Sequence, residues 1–294
     1  DPILNWNMGM TYRLRERDER VYPQGELARR TIGQVGDKGN YGVEYVLRDV
    51  LEGRDGKARR QRIARGFYGR VVGGDNSEPE DGMDVVTTLH LEMQDVADRA
   101  LRRQLEAQNA LWGTALVMEV ATGDLLAMAN LSRTKSGAYA EVKNHALSSR
   151  MEPGSTFKLA ALLALVDDAG MSLDETFDTG NGARVKVGRT TVQDSHGLPP
   201  LNLKDAVAHS SNVFFARAVY ETYKDDPERY VDYLRHLHLD RTVGLEEFGA
   251  VAPIFPAPGM KIWYPDVSIV NMGYGYAIEL TPLHTLTLLS LIHI

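Results

Sequence analysis

The stretch "MEPGSTFKLAALLALVDDAG", Met151 to Gly170, sets Ser155 and Lys158 three residues apart where an apolar run begins. Pro153-Gly154 breaks the chain ahead of the run and Gly170 closes it, since glycine takes the left-handed conformation of a helix end without steric cost. The spacing predicts a helix over residues 155–169. Residues three apart on a helix share a face, with Cβ atoms about 5–6 Å apart, so the Lys158 nitrogen reaches the Ser155 hydroxyl. Serine alone is a weak nucleophile. Lysine serves as its base once burial and neighbours bring the amine well below its ordinary pKa of about 10.4. The helix N-terminus adds N–H groups and a positive dipole end that favour developing negative charge.

Spacing alone is not specific, because Ser132–Lys135 in "SRTK" repeats it in a polar stretch. The pair at 155 differs in the run behind it, "LAALLALV", which drives Lys158 inward. A second cluster follows in "AVAHSSNVFFARAV", where Ser210, Ser211 and Asn212 lie against an apolar segment. Two hydroxyls and an amide in such a place are costly unless paired; a helix N-cap is the plainer alternative. Ser-x-x-Lys followed by Ser-x-Asn is the first two-thirds of a three-motif catalytic set whose third member is Lys-Thr-Gly.

The remaining composition narrows the chemistry. The 294 residues, 43% hydrophobic and 25% charged, are those of a soluble globular chain of one large or two ordinary domains. There is no cysteine, so no disulfide, thiol nucleophile or zinc–thiolate site. The net charge of −7 is split: residues 1–70 carry 15 Lys/Arg against 10 Asp/Glu, and residues 71–294 carry 18 against 30. The basic segment Lys57–Arg70 lacks interleaved aromatics and any DNA-binding motif, so a solvated basic face is expected and no nucleic acid. No apolar run approaches the roughly 18–20 residues of a membrane span. The opening "DPILNWNMGM" has no initiator methionine, consistent with an anchor upstream.

Organisation follows from the breakers. "VVGGDNSEPEDG", Val71–Gly82, has the composition of an exposed connection and marks a boundary. Upstream, the irregular glycines of "TIGQVGDKGNYGVEYVL" predict small strands and turns. Downstream, "MDVVTTLH" predicts a strand, and Leu91, Val96, Leu101 and Leu105 an amphipathic helix. "GTALVMEV" and "DLLAMANL" predict a hairpin turning at Ala121-Thr122-Gly123. One helix is expected from Leu203 to about Tyr223 and another around Pro227–Leu237. This order of elements reads as α+β.

The chain resembles a class B penicillin-binding protein, a peptidoglycan D,D-transpeptidase, most closely the division-specific septal type. The resemblance rests on "YPQGELARRTIGQVG", "YGVEYVLRDVLEGRDG", "TTLHLEMQDVADRAL", "ALVMEVATGDLLAMAN", "MEPGSTFK", "VQDSHG", "HSSNVFF" and "MGYGYAIELTPL", in that order over nearly the whole chain. It implies a penicillin-binding protein/serine β-lactamase-like transpeptidase domain, antiparallel sheet with helices, at residues 81–294. Residues 1–80 would be the C-terminal part of a mixed α/β pedestal with its linker. It implies that Ser155 attacks the penultimate D-Ala carbonyl of a stem peptide and forms an acyl-enzyme. Lys158 would take the serine proton, Ser210 would relay a proton to the leaving amine, and Asn212 would bind the substrate amide and steady Lys158. No cofactor or metal is implied. The implied partners are stem peptides ending in D-Ala-D-Ala, β-lactams, a division glycosyltransferase and other divisome proteins. The implied location is the cytoplasmic membrane, facing the periplasm or cell exterior. An elongation-type transpeptidase, a β-lactam sensor and a class D-like β-lactamase share the first two motifs; a pedestal-like segment is not expected of a class D enzyme.

The third motif is not found on a sheet-edge strand. Lys186–Gly188 ("KVG") and Lys261–Trp263 ("KIW") lack the hydroxyl residue and are out of order. The chain therefore reads as truncated at both ends and is expected to acylate poorly by itself; its closing "LSLIHI" departs from the resemblance, which leaves open whether Ile292–Ile294 are native. Eight histidines include no His-Glu-x-x-His, and His236 and His238 diverge on a helix, so surface histidines are expected. His196 in "DSHG" reads as part of a turn. "GYGYAIE" lacks the spacing and the lysine of a nucleotide loop. Trp112 and Trp263 read as core or rim, and Arg30 and Glu44 as structural ion-pairing residues.

Overall fold

The computed structural model describes residues 21–37, 39–57, 60–64, 67–70, 77–291 and 293. The first 20 residues, the first half of the Val71–Gly82 connection, and Ile292 and Ile294 lie outside the described residues. Helices and antiparallel strands alternate irregularly, as α+β.

The N-terminal part is more helical than its glycines suggest. It holds α1 (Arg29–Ile32), α2 (Gly42–Val46) and α3 (Arg48–Leu51), then the antiparallel pair β1 (Arg60–Ala64) and β2 (Phe67–Arg70). The glycines serve a close crossing of backbones rather than strand turns. A Cβ at Gly33, φ +87°, would lie 1.8 Å from the Tyr41 carbonyl oxygen, where Gln34 and Tyr41 bridge. Arg30 lays its guanidinium 3.7 Å over the Tyr41 ring, and its backbone N–H donates to Glu141.

The segment "MDVVTTLH" joins no strand ladder, so the strand expected there does not form; Met83 N–H donates to the Val50 carbonyl and His90 N–H to the Leu126 carbonyl. Its place is taken by the lead-in to α4 (Leu91–Gln108), whose inward face also differs from expectation. Leu91 and Val96 are 48% and 58% exposed, while Gln94, Ala97 and Leu105 are buried. Gln94 goes inside because its amide behaves as a short piece of strand: Nε2 donates to the Met128 carbonyl and Oε1 accepts from Met128 N–H at 2.7 Å. The hairpin β3 (Trp112–Met118) and β4 (Leu125–Arg133) forms as expected, pairing Ala115 with Ala129, and β5 (Tyr139–Ala140) adds to β4. A short helix, α5 (His145–Ser148), follows.

The nucleophile stretch is one continuous but changing helix. Gly154–Phe157 is a 3-10 turn, Lys158–Leu163 is α6, and Ala164–Asp168 widens into a π-turn before Gly170 at φ +66° ends it. The Tyr223 hydroxyl donates to the Ala164 carbonyl at 2.7 Å and to Asp168, fixing that widened turn. The short strands β6 (Thr176–Phe177), β7 (Val185–Val187), β8 (Thr190–Val192) and β9 (Leu201–Asn202) form two small antiparallel pairs, β6 with β9 and β7 with β8.

The single helix expected from Leu203 to Tyr223 is two: α7 (Leu203–Ala208) and α8 (Asn212–Tyr223). Ser210 at φ 52° breaks it, and the Ser211 hydroxyl caps α8 by accepting from Phe214 N–H. Helix α9 (Pro227–His236) forms where its pattern placed it, with Pro227 in the first turn and Asp226 as cap. Helices α10 (Ser268–Met272) and α11 (Pro282–Leu291) complete the described elements. The main core joins α6, α8 and α9 through Phe157, Ala161, Phe214, Phe215, Tyr223 and Tyr230.

Candidate active site

Ser155 and Thr156 are exposed on the 3-10 turn, whereas Phe157 and Lys158 are buried, because the tighter winding turns the following residues straight into the core. Lys158 is only 4% exposed. Its Nζ lies 3.1 Å from Ser155 Oγ, 3.0 Å from Ser210 Oγ, 2.5 Å from the Ser210 carbonyl oxygen and 2.7 Å from Asn212 Oδ1. All four residues expected to form the site are therefore gathered on one nitrogen.

Three N–H bonds of an ammonium cannot satisfy four acceptors at once. One serine hydroxyl is free to donate instead when the amine is neutral, and then the lone pair points at a serine proton. Burial draws the Lys158 ammonium down to about 8, against the opposing pull of the Asp194 negative charge. The cluster thus pairs an exposed hydroxyl with a buried amine that titrates near neutrality.

The break between α7 and α8 makes this possible. An unbroken helix would carry the Ser210 carbonyl along its own axis; the left-handed turn sends both the carbonyl and the hydroxyl of Ser210 toward α6. Serine adopts that conformation at a cost of roughly 1 kcal/mol or more. Beneath the nucleophile, "GYGYAIE" supports the turn: Gly154 N–H donates to the Gly275 carbonyl at 2.9 Å, Met151 bridges Leu280, and Ala277 N–H donates to Glu152. A Cβ at Gly275, φ +91°, would lie 1.8 Å from the Gly154 carbonyl oxygen.

Asp194 was not singled out from the sequence. It is buried and accepts from Ser211 Oγ, Asn212 N–H and Val213 N–H. Its neighbours Ser195 and His196 form an exposed bend, as the turn reading expected. No spacing rule links a carboxylate to a Ser-Ser-Asn seventeen residues on, so only the fold brings it in.

The second Ser-x-x-Lys pair is structural. Ser132 lies on β4 and hydrogen-bonds His145 Nε2 at 2.7 Å, while Ser149 Oγ meets Nδ1 at 2.8 Å. Trp112 stacks on the imidazole at 4.2 Å, and burial draws His145 down to about 4. His145 and His284 are thus core histidines, correcting the expectation of surface ones; His236 and His238 are exposed. The string Lys135-Ser136-Gly137 has the composition of the third motif, but it is the exposed turn between β4 and β5, its hydroxyl bonded to Thr134. Lys186 lies on β7 and Lys261 in an exposed turn. Among the described residues, no three His, Asp or Glu side chains converge as metal ligands. A cavity of about 340 Å³ lies between the N-terminal segment and β4, α5 and Phe248, and one of about 400 Å³ between the N-terminal segment and the start of α4; neither is lined by Ser155 or Lys158.

A serine on a helix start, a buried lysine and a Ser-x-Asn turn on an α+β frame are the parts that serine–lysine acyl transfer requires. Residues 113–293 match the model of the penicillin-binding protein transpeptidase domain, and the chain belongs to that family. Its relatives are class B proteins. They include the probable peptidoglycan D,D-transpeptidase PenA of Neisseria meningitidis, 27% identical over 90% of this chain and 45% of PenA. The penicillin-binding protein PbpB of Mycobacterium tuberculosis is 30% identical over 90% of this chain and 39% of PbpB. The peptidoglycan D,D-transpeptidase FtsI of Escherichia coli is 26% identical over 92% and 45%. The chain thus spans less than half the length of these relatives. Among solved structures, penicillin binding protein 3 of Mycobacterium tuberculosis, complexed with aztreonam, superposes with a TM-score of 0.74 at 26% identity. That match covers 94% of this chain and 58% of the solved one.

Proposed function

We propose that this chain carries the acyl-transfer centre of a serine peptidoglycan D,D-transpeptidase that cross-links stem peptides in septal cell-wall synthesis and is acylated by β-lactams. The observation that supports it is the Lys158 nitrogen within 3.1 Å of Ser155, Ser210 and Asn212. Ser155 Oγ attacks the penultimate D-Ala carbonyl carbon while the neutral Lys158 amine takes the hydroxyl proton. The oxyanion is met by the Ser155 backbone N–H. The C–N bond to the terminal D-Ala then breaks, and the departing nitrogen takes a proton through Ser210 from Lys158. Asn212 holds the substrate amide and the lysine together. An amine of a neighbouring stem peptide attacks the ester, forms the new amide and returns the hydrogen to Ser155.

The septal assignment draws support from relatives named FtsI; an elongation role differs in partners, not in this chemistry. We assign residues 1–80 to the end of a pedestal and 81–294 to the transpeptidase domain, and place the whole protein at the cytoplasmic membrane, facing outward beside a glycosyltransferase. Among the described residues no helix is long and apolar enough to cross a membrane. These 294 residues carry no Lys-Thr-Gly or Lys-Ser-Gly on a strand, so alone they acylate slowly. The test is labelling of the full-length protein with a fluorescent penicillin. Covalent label that Ser155→Ala abolishes is expected; label that survives that change refutes the assignment.

A further inference from the structure

Asp194 has no step in the chemistry above, yet it is 6% exposed and makes three hydrogen bonds at the start of α8. Its Oδ2 accepts from Ser211 Oγ at 2.8 Å, and its Oδ1 accepts from Asn212 N–H at 2.5 Å and Val213 N–H at 3.2 Å. A carboxylate is favoured against the unpaired first-turn amides of a helix and their positive dipole end. Here it stands behind an existing cap, since Ser211 Oγ already accepts from Phe214 N–H at 3.0 Å. Helix capping alone is therefore served by Ser211. The added bonds fall on the cap residue Ser211 and the first two residues of α8, Asn212 and Val213, and both neighbours of Ser211 touch Lys158.

Ser210 is held in the left-handed region at φ 52°, a conformation that reverts unless its surroundings fix it. The chain on its far side is pinned by Asp194. Release of Asn212 N–H and Ser211 Oγ would let Ser210 relax toward a helical φ, carrying its carbonyl and hydroxyl off the lysine.

We propose that Asp194 is a positioning residue of this centre: it locks the Ser210–Asn212 turn so that both residues hold the Lys158 nitrogen, and supplies the negative charge that balances it. The inference rests on the reading of Ser155 as the acylated residue. Around the lysine nitrogen stand the Ser155 and Ser210 hydroxyls, the Ser210 carbonyl, the Asn212 amide and the Phe215 ring at 6.0 Å. Among the described residues, Asp194 is the charged side chain whose field reaches it, and that field raises the lysine pKa against burial.

The experiment is the acylation rate of the full-length protein by a fluorescent penicillin from pH 6 to 9, for wild type, Ser155→Ala, Asp194→Asn and Asp194→Ala. Asp194→Asn keeps the shape and an acceptor but removes the charge. Its acid limb is expected to move to lower pH, because the lysine loses its counter-charge. Asp194→Ala frees the turn and is expected to slow acylation on the order of 10²-fold, beyond any fraction unfolded in a thermal melt. Should Asp194→Ala fail to fold, the shifted limb of Asp194→Asn decides. Wild-type rates and an unmoved limb in Asp194→Asn, with Ser155→Ala inactive, overturn this proposal and leave the active-site assignment standing. Label independent of Ser155 overturns both.

Discussion

Replacing Lys158 by methionine tests the base directly, because methionine keeps the apolar stem in its buried slot and removes the nitrogen. With a pKa of about 8, roughly a tenth of Lys158 is neutral at pH 7. At an ordinary value of about 10.4 the neutral share would be on the order of 200-fold smaller. Wild-type acylation should therefore rise about tenfold per unit below pH 8 and level off above it. Lys158→Met should lose roughly 10²–10⁴ in rate, the usual worth of a positioned base, and its residual rate should be flat from pH 6 to 9. Stability moves the other way. A lysine whose folded pKa lies below its unfolded one binds fewer protons when folded between about 8 and 10.4. The fold therefore gains stability as pH rises through that window and carries the full penalty below it. The penalty is about 3 kcal/mol from the two values, so Lys158→Met should lose the rise in stability between about pH 8 and 10.4, while its lost bonds to Ser210 and Asn212 act on stability at every pH. Stopped-flow acylation with a chromogenic β-lactam and a parallel urea melt read both effects. A wild-type profile flat across pH 6–9, or a variant that keeps the slope, refutes Lys158 as the base.

Ser132→Ala should leave Ser155 labelling intact but lower stability by about 1–3 kcal/mol, because it strips the buried His145 Nε2 of its partner; lost labelling would return Ser132 to the catalytic candidates. Gly275→Ala should slow acylation and lower the melting temperature together, since its Cβ would overlap the Gly154 carbonyl beneath the nucleophile, whereas Gly123→Ala in the open hairpin turn should cost only the strain of its φ of +79°. Glu141 is raised to about 7 by burial, so the folded state holds its proton longer than the unfolded one and stability from this group falls as pH rises from about 4.5 to 7. Glu141→Gln should remove that fall in melts taken across this range; an unchanged slope would sink the assignment.

Sequence and tertiary structure divided the information along physical lines. Patterns that depend on near neighbours were legible: the β3–β4 hairpin through Gly123, helix α9 from Pro227, and the Ser155–Lys158 face through its apolar run. The ordered motifs carried the family. What failed were choices made by partners far along the chain. Gln94 is buried because β4 offers it a carbonyl and an amide, and Leu91 and Val96 are exposed although their spacing is apolar. His145 is core because Ser132, Ser149 and Trp112 enclose it. The break at Ser210, the burial of Lys158 and the placement of Asp194 belong to the same class. A sequence can name a nucleophile and a base, but the pKa of the base depends on how much water and which charges surround it. Those are set only when α6, α8 and the Asp194 turn pack together.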